Sequence, residues 1–505
     1  MSKKKNNESL NQPKKEISID SFMKHEEDVK AKLKRKNRPI VVMTYIMAVL
    51  FLALFGHIIF YMIHDSKKVI ANANNKRQDY LSKYVIRGNI ESIDGTVLAR
   101  TDVDEDGNES RYYPEGSEYA HVVGYNEYGR SGVELDYNFE LLTSNDNIVS
   151  KLQQDFKEKK NPGDTVVLTI DSRLQDAAYY ALGDCSGAAI VIEPDTGKIL
   201  AMISKPSFDP NEINEVWDYI HSDEGKDSTI MLNRVTNGLY APGSTFKIVT
   251  ALEYMRENPN YEDYEFECEG TTVVNGVEIS CANDNVHGTV TLADSIAYSC
   301  NTSFSNIGSK LDKGSYRKTA EELLFNKELP YDGSYEKSSF IINEQSSSSS
   351  IPQTAIGQGD TNITPLHNAM IMCGIANGGL VKKPYVVDSI KNVSGIQVKK
   401  YKSKDSVKIM SSDEAKNLTE MLKGVCEYGT ASSYFEYSDY TVAGKTGTAE
   451  YDNEGNCNSW FVGYSNIERP DIVVSVIVED YTTNQTSGSY VAKQIFDAYY
   501  EYHEK

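Results

Sequence analysis

The chain has 505 residues, 25% charged and 40% apolar, with a formal net charge of −21 at pH 7. That length supports more than one domain and a large buried core. The negative balance argues against nucleic acid as a partner, because phosphate contacts need a basic surface.

The charge is unevenly spread. Residues 1–38 carry twelve Lys/Arg against six Asp/Glu, so the remainder sums to −27. Next comes "PIVVMTYIMAVLFLALFGHIIFYMIH", Pro39–His64, without one Asp, Glu, Lys or Arg. A helix of that length extends about 39 Å at 1.5 Å per residue, enough to cross a hydrocarbon core about 30 Å thick. A cleaved signal peptide fits poorly, since the charged lead is too long and no A-x-A site follows. One transmembrane helix at 39–64 is therefore expected, with the basic tail 1–38 cytoplasmic and everything after Asp65 outside.

Residues 66–80 are polar and predict a helical stalk. "VIRGNIESIDGTVLAR" has two apolar runs around Asp94-Gly95, a hairpin pattern. Residues 100–165 are rich in Gly, Tyr, Asn and acids and predict short strands at best, so 65–165 reads as a small α+β pedestal. In "NPGDTVVLTIDSRLQDAAYYAL" a strand, Thr165–Ile170, leads into a helix capped by Asp171 or Ser172. "AAIVIEPDTGKILAMIS" is two apolar strands joined by Pro194-Asp195-Thr196-Gly197. In "LYAPGSTFKIVTAL", Leu239–Leu252, Pro242-Gly243 makes a turn and the apolar spacing then predicts a buried helix. The serine run 346–350 reads as a low-complexity loop. "YTVAGKTGTAE", "SWFVGYSN" and "DIVVSVIVED" are three successive strands, and "SYVAKQIFDAYYEYHEK" a closing helix. Strands at both ends of 166–505 around a helical middle predict an α+β fold, an antiparallel sheet flanked by helices.

The seven cysteines are at 185, 268, 281, 300, 373, 426 and 457, all beyond the apolar run. An odd count leaves at least one unpaired. Asn275-Gly276 is a type I′ hairpin signal. Counting outward from it puts Cys281 opposite Gly270 and Cys268 opposite Asn283, so a Cys268–Cys281 disulfide needs the strands to fray. A metal site of Cys268, Cys281 and His287 has no CxxC unit to anchor it. The disulfide and the metal site both stay open; no metal is assigned.

Ser-x-x-Lys occurs at Ser244/Lys247, but also at Ser2/Lys5, Ser21/Lys24, Ser315/Lys318 and Ser334/Lys337, so spacing alone carries little. What singles out Ser244 is company: Ser299-x-Asn301, and the chain's one Lys-Thr-Gly, Lys445-Thr446-Gly447. Separately these are a helix cap, a loop and a polar edge strand. Together, in this order, they form the triple of penicillin-interacting serine enzymes.

On these motifs residues 66–505 resemble class B penicillin-binding proteins of the compact type without C-terminal repeat domains. Those are membrane-anchored D,D-transpeptidases of peptidoglycan. "RGNIESIDGTVLA", "GYNEYGRSGVELDYNFEL", "IEPDTGKILAM" and "GQGDTNITPLHNAMIMCGIANGG" are similar to further landmarks of the family. The resemblance implies the penicillin-binding transpeptidase fold at 166–505 and an acyl-enzyme on Ser244. A serine hydroxyl needs a neighbouring base. Lys247 can serve only when neutral, so its pKa must fall from about 10.4 to near neutrality, about 4 kcal/mol. Burial and a second cation, Lys445, push that way. Asn301 would hold Lys247 and the substrate amide, and Ser299 would relay a proton to the departing D-alanine. The resemblance also implies an oxyanion hole from the Ser244 and Thr448 N–H groups. Thr446 and Thr448 would bind the terminal carboxylate, and Gly447 would let a stem peptide ending in D-Ala-D-Ala lie against the strand. β-Lactams would acylate the same serine. The family needs no cofactor and implies a membrane-embedded glycan polymerase as partner. Cys300, inside Ser-x-Asn, reads as a packed thiol. A β-lactamase would need a deacylating carboxylate, and the nearest match, Glu322-Leu323-Leu324-Phe325-Asn326, has phenylalanine in the wrong place. A silent β-lactam sensor or a wall-synthesis scaffold is the non-enzymatic alternative, yet no motif is missing.

Overall fold

The computed structural model describes residues 19–64, 80–157, 159–452, 454–484 and 486–503, and falls into two units, Met1–Asn72 and Ala73–Lys505. In the first, the apolar run lies within a single helix, Ile19–His64, whose apolar window has a mean hydropathy of 2.3. The helix begins well before the apolar run and continues through Pro39. Proline there forgoes one backbone bond, a loss the long helix absorbs. Apart from Tyr80, the stalk expected at 66–80 lies outside the described residues.

The second unit is built on two sheets. One has six strands in the order Gln397–Lys400, Val387–Lys391, Thr165–Leu168, Ile90–Glu91, Val97–Val103, Glu109–Tyr112. The hairpin at Asp94-Gly95 forms, with Ile90 opposite Ala99 and Gly95 at φ +92°. Thr165–Leu168 pairs on one side with Ile90–Glu91 and on the other with Val387–Lys391, so the sheet draws on both sides of residue 165. The stretch 100–165 is more helical than its composition predicts, with Ala120–Val123, Gly132–Asp136, Asn138–Leu141 and Ile148–Phe156.

Buried charge ties these short helices to the strands. Arg87 donates to Glu134 Oε2 at 2.6 Å and also to Asn138, and Arg111 donates to Glu134 Oε1 at 2.7 Å. Burial alone would raise the Glu134 carboxyl, but Arg111 and Arg87 hold it below the usual carboxylate range. Two landmark segments, "RGN" and "GVELDYN", thus meet in one ion network.

The other sheet has five strands, all antiparallel, in the order Val442–Glu450, Cys457–Ser465, Val473–Val478, Gly187–Glu193, Lys198–Lys205. Every residue of Val473–Val478 is buried, so both faces of the sheet are covered. Helices Ser172–Leu182 and Gly488–His503 pack together on it, and Pro365–Ala376 also packs against its central strands. Asp171 is the cap of the first of these, accepting from Arg173 N. Val442–Glu450 is an edge, paired only with Cys457–Ser465.

The type I′ turn forms, with Asn275 at φ +51° and Gly276 at φ +78°. Cys281 N–H donates to Gly270 O as counted, but Cys268 lies on a separate strand, Phe266–Cys268, opposite Gly288 and not Asn283. The chain leaves the hairpin at Gly270, so one register could not reach both cysteines. No disulfide forms; all seven cysteines are free. The serine run is shaped rather than irregular: Ser347 caps a 3-10 turn, Ser348–Ser350, leading into the helix Ile351–Ala355.

Candidate active site

Ser244 sits in a 3-10 turn, Gly243–Phe246, and Lys247 is the first residue of the following α-helix, Lys247–Glu257. The sequence predicted a plain helix start. A 3-10 turn has three residues per turn, so residues three apart eclipse, and Ser244 and Lys247 share one face. The turn is anchored from several sides. Phe246 stacks on Phe340 with centroids 5.5 Å apart, and Trp460 Nε1 donates to Ala241 O at 3.1 Å. Gly243 N–H donates to Gly357 O at 2.9 Å.

Two glycines let this turn meet the edge strand. Gly243 has φ +51°, and a Cβ there would lie 2.5 Å from Thr448 O. A Cβ on Gly447 would lie 3.0 Å from Trp460 Cβ, 3.1 Å from Thr245 Cγ2 and 3.2 Å from Pro242 O. Gly447 was expected to make room for a peptide; its observed neighbours are the Ser244 turn and Trp460.

From Lys445 onward the edge strand alternates as a pleat should, with Lys445, Gly447 and Ala449 buried and Thr446, Thr448 and Glu450 turned outward. Thr446 Oγ1 lies 2.6 Å from Thr430 Oγ1, a contact with no sequence signal, since Thr430 belongs to no motif.

Ser299, Cys300 and Asn301 run into the helix Asn301–Lys310, with Cys300 as its N-cap. Ser299 adopts φ +55°, a left-handed conformation costly for a residue with a Cβ. That strain has a geometric product. Its hydroxyl accepts from Lys247 Nζ at 3.2 Å and from Lys445 Nζ at 2.9 Å. Lys247 Nζ also donates to Ser299 O and to Asn301 Oδ1, both at 2.6 Å. Asn301 spends its amide N–H on Ser280 O at 2.8 Å, so its oxygen faces the lysine. Ser280 is a second partner that no motif announced.

Both lysines are fully buried. Burial pushes Lys247 down to about 7. Burial and the charge of Lys247 push Lys445 down as well. Two ammonium groups on one hydroxyl disfavour each other, and giving up one proton relieves both. Ser244 Oγ makes no hydrogen bond among the described residues. Ser244, Ser299, Asn301, Thr446, Gly447 and Thr448 line one cleft of about 490 Å³. The seven motif residues and Thr448 therefore meet at this cleft or reach its lining. Glu322 does not line it and pairs instead with Arg256 at 2.8 Å. Chemically, the cleft offers a hydroxyl, an amine held near neutrality, a bridging hydroxyl and an exposed strand edge. Those are the parts of an acyl-transfer site.

Comparison with known proteins agrees with this geometry. Residues 187–501 match the family model of the penicillin binding protein transpeptidase domain, and residues 87–166 that of the penicillin binding protein A dimerisation domain. The chain is 28% identical over 401 residues to peptidoglycan D,D-transpeptidase PbpA of Mycolicibacterium smegmatis, covering 73% of this chain and 79% of the relative. Among solved structures it is similar to the D,D-transpeptidase domain of a peptidoglycan glycosyltransferase from Eggerthella lenta. That match has TM-score 0.73 and 32% identity, covering 83% of this chain and 99% of the other. It is also similar to penicillin-binding protein A from M. tuberculosis in an imipenem acyl-enzyme complex, with TM-score 0.72 and 25% identity over 82% of this chain and 99% of that one.

Proposed function

The chain belongs to the penicillin-binding protein transpeptidase family and acts as a peptidoglycan D,D-transpeptidase acylated by β-lactams, and we propose that Ser244 is its nucleophile. The observation that carries the assignment is the Ser299 hydroxyl bridging two buried lysines beside the cleft that Ser244 lines.

An ammonium on Lys247 has three N–H donors, and three acceptors surround it. A neutral amine needs only two of them and keeps one lone pair, which takes the Ser244 proton. Ser244 Oγ then attacks the carbonyl carbon of the penultimate D-alanine. The Ser244 and Thr448 N–H groups hold the oxyanion. Ser299 passes the proton from the lysine pair to the departing D-alanine nitrogen, and the C–N bond breaks to leave an ester on Ser244. An acceptor amine attacks that ester, forms the new amide and returns the proton. Asn301 fixes Lys247, Lys445 lowers its basicity, and Thr446 and Thr448 bind the carboxylate next to Gly447. Glu322, the nearest sequence match to a deacylating carboxylate, is held by Arg256 away from the cleft, which favours transfer over β-lactamase turnover.

The proposal extends to organisation. Residues 1–38 form a cytoplasmic tail, 39–64 the span, 65–165 the pedestal and 166–505 the transpeptidase domain, with the catalytic part outside the membrane. An apolar helix of sufficient length and the two family matches support this reading. A membrane-embedded glycan polymerase supplies nascent strands, meeting the chain through residues 39–165. The test uses the full chain in detergent with a stem pentapeptide ending in D-Ala-D-Ala and an acceptor amine. Free D-alanine and cross-linked product appear with the wild type and neither with Ser244→Ala; equal release by both defeats the assignment.

A further inference from the structure

Three of the seven cysteines converge where the linear sequence separates them. Cys268 ends one strand, Cys281 follows another, His287 precedes the strand Gly288–Val290, and Cys300 caps the helix that carries Asn301. Cys268 Sγ and Cys281 Sγ are 3.7 Å apart, as are Cys281 Sγ and Cys300 Sγ. His287 Nδ1 lies 3.3 Å from Cys268 Sγ, and all four ligand atoms fall within 4.8 Å of one another. A tetrahedron with zinc–sulfur bonds of about 2.3 Å has sulfur–sulfur edges of about 3.8 Å, and slightly shorter sulfur–nitrogen edges.

We propose that Cys268, Cys281, His287 and Cys300 form a tetrahedral zinc site that fixes the Ser299–Asn301 segment of the active site.

The spacing fits one ion, and three sulfurs with one imidazole are a closed structural set for zinc. The three thiols are fully or nearly fully buried, while His287 is half-buried at the rim. Surrounding groups supply the support that metal ligands need. The Thr302 hydroxyl donates to Cys268 Sγ at 3.1 Å, and Ser303 N–H donates to Cys300 Sγ at 3.4 Å. The His287 ring stacks on Tyr298, with planes 12° apart. Without an ion, three buried thiols share a pocket with little apolar filling, Val290 and part of Phe266. With one, the thiols release their protons and four separate segments are tied together. Cys300 lies between Ser299 and Asn301, so the tie sets the strained Ser299 backbone. The four ligands are positioning residues, since none touches the reacting atoms.

The test is metal analysis of the full chain, purified in detergent with reductant and without chelator. One zinc per chain is expected. Exchange with cobalt should give the intense visible bands of a tetrahedral thiolate site. His287→Ala, a change at the rim, and Cys268→Ser should each remove most of the zinc, whereas His287→Cys should keep it with an altered cobalt spectrum. Stripping the ion should slow β-lactam acylation about tenfold or more and lower the thermal midpoint. A folded, β-lactam-reactive wild type without zinc and without cobalt bands overturns the proposal. So does zinc content unchanged in His287→Ala and Cys268→Ser, or a disulfide between two of the three cysteines in the purified chain. Metal content does not depend on Ser244 being the nucleophile, so the two readings fail separately.

Discussion

Lys247 and Lys445, 198 positions apart in sequence, donate to the same oxygen, the Ser299 hydroxyl, at 3.2 Å and 2.9 Å. Burial removes water from both amines and pushes both down, and the charge of Lys247 pushes Lys445 down further.

The first prediction concerns pH. A group pushed down to about 7 gives an acylation rate that rises through pH 7 and then levels off. Removing the neighbouring amine with Lys445→Met takes a like charge away from the Lys247 ammonium, so the rising limb moves to higher pH. Stopped-flow acylation across pH reads this directly. A lower rate with an unmoved limb means that Lys445 does not act on Lys247.

Ser299 tests strain against chemistry. Ser299→Ala and Ser299→Gly both lose the bridging hydroxyl, and both should slow acylation about 100-fold or more. Only glycine accepts φ +55° without penalty, so Ser299→Gly should be more stable than Ser299→Ala by about 1 kcal/mol. Equal denaturation midpoints would argue against strain at this position.

Gly447→Ala places a methyl group 3.0–3.2 Å from Trp460, Thr245 and Pro242. Either the edge strand or the Ser244 turn must move. A stability loss of about 1–3 kcal/mol is expected, with acylation falling further than the melting point explains. A structure of the variant with an unmoved turn would contradict this.

Glu134→Gln leaves Arg87 and Arg111 buried beside a neutral amide, and should destabilise the chain by about 3–5 kcal/mol. In the wild type the folded-state pKa of Glu134 is depressed, so its contribution is present above the ordinary carboxylate value near 4.5. That contribution is lost as pH falls through the lower folded value. Acid melts should show the wild type losing stability there and the variant losing less. Acylation per folded molecule should be unchanged.

Much of the sheet and the triple of motifs could be read from sequence, because period-two apolar runs and turn residues act locally. Lys445, Thr446 and Gly447 fall where the strand pattern puts them. Motif company, not spacing, separated the Ser-x-x-Lys copies, and burial now explains the difference. Lys247 is fully buried, whereas Lys318 of another copy is 79% exposed. What escaped were features set by chain crossings. Cys268 was assigned the wrong cross-strand neighbour because the chain leaves the hairpin at Gly270. The open metal reading named Cys268, Cys281 and His287 but not Cys300, which lies 13 residues beyond His287 and read as a packed thiol. Thr430 and Ser280 act through a hydroxyl and a backbone carbonyl, groups that leave no mark on residue type. The helical turns ahead of Pro39 were not read, because residues 1–38 are rich in charge and read as a basic tail.

The central claim is that Ser244 forms the acyl-enzyme. Intact-mass and peptide-mapping spectrometry of the full chain after exposure to a penicillin tests it most directly. One adduct should appear, on the peptide containing Ser244, and persist for many minutes. It should be absent from Ser244→Ala. An adduct on another residue, or undiminished labelling of Ser244→Ala, would contradict the account.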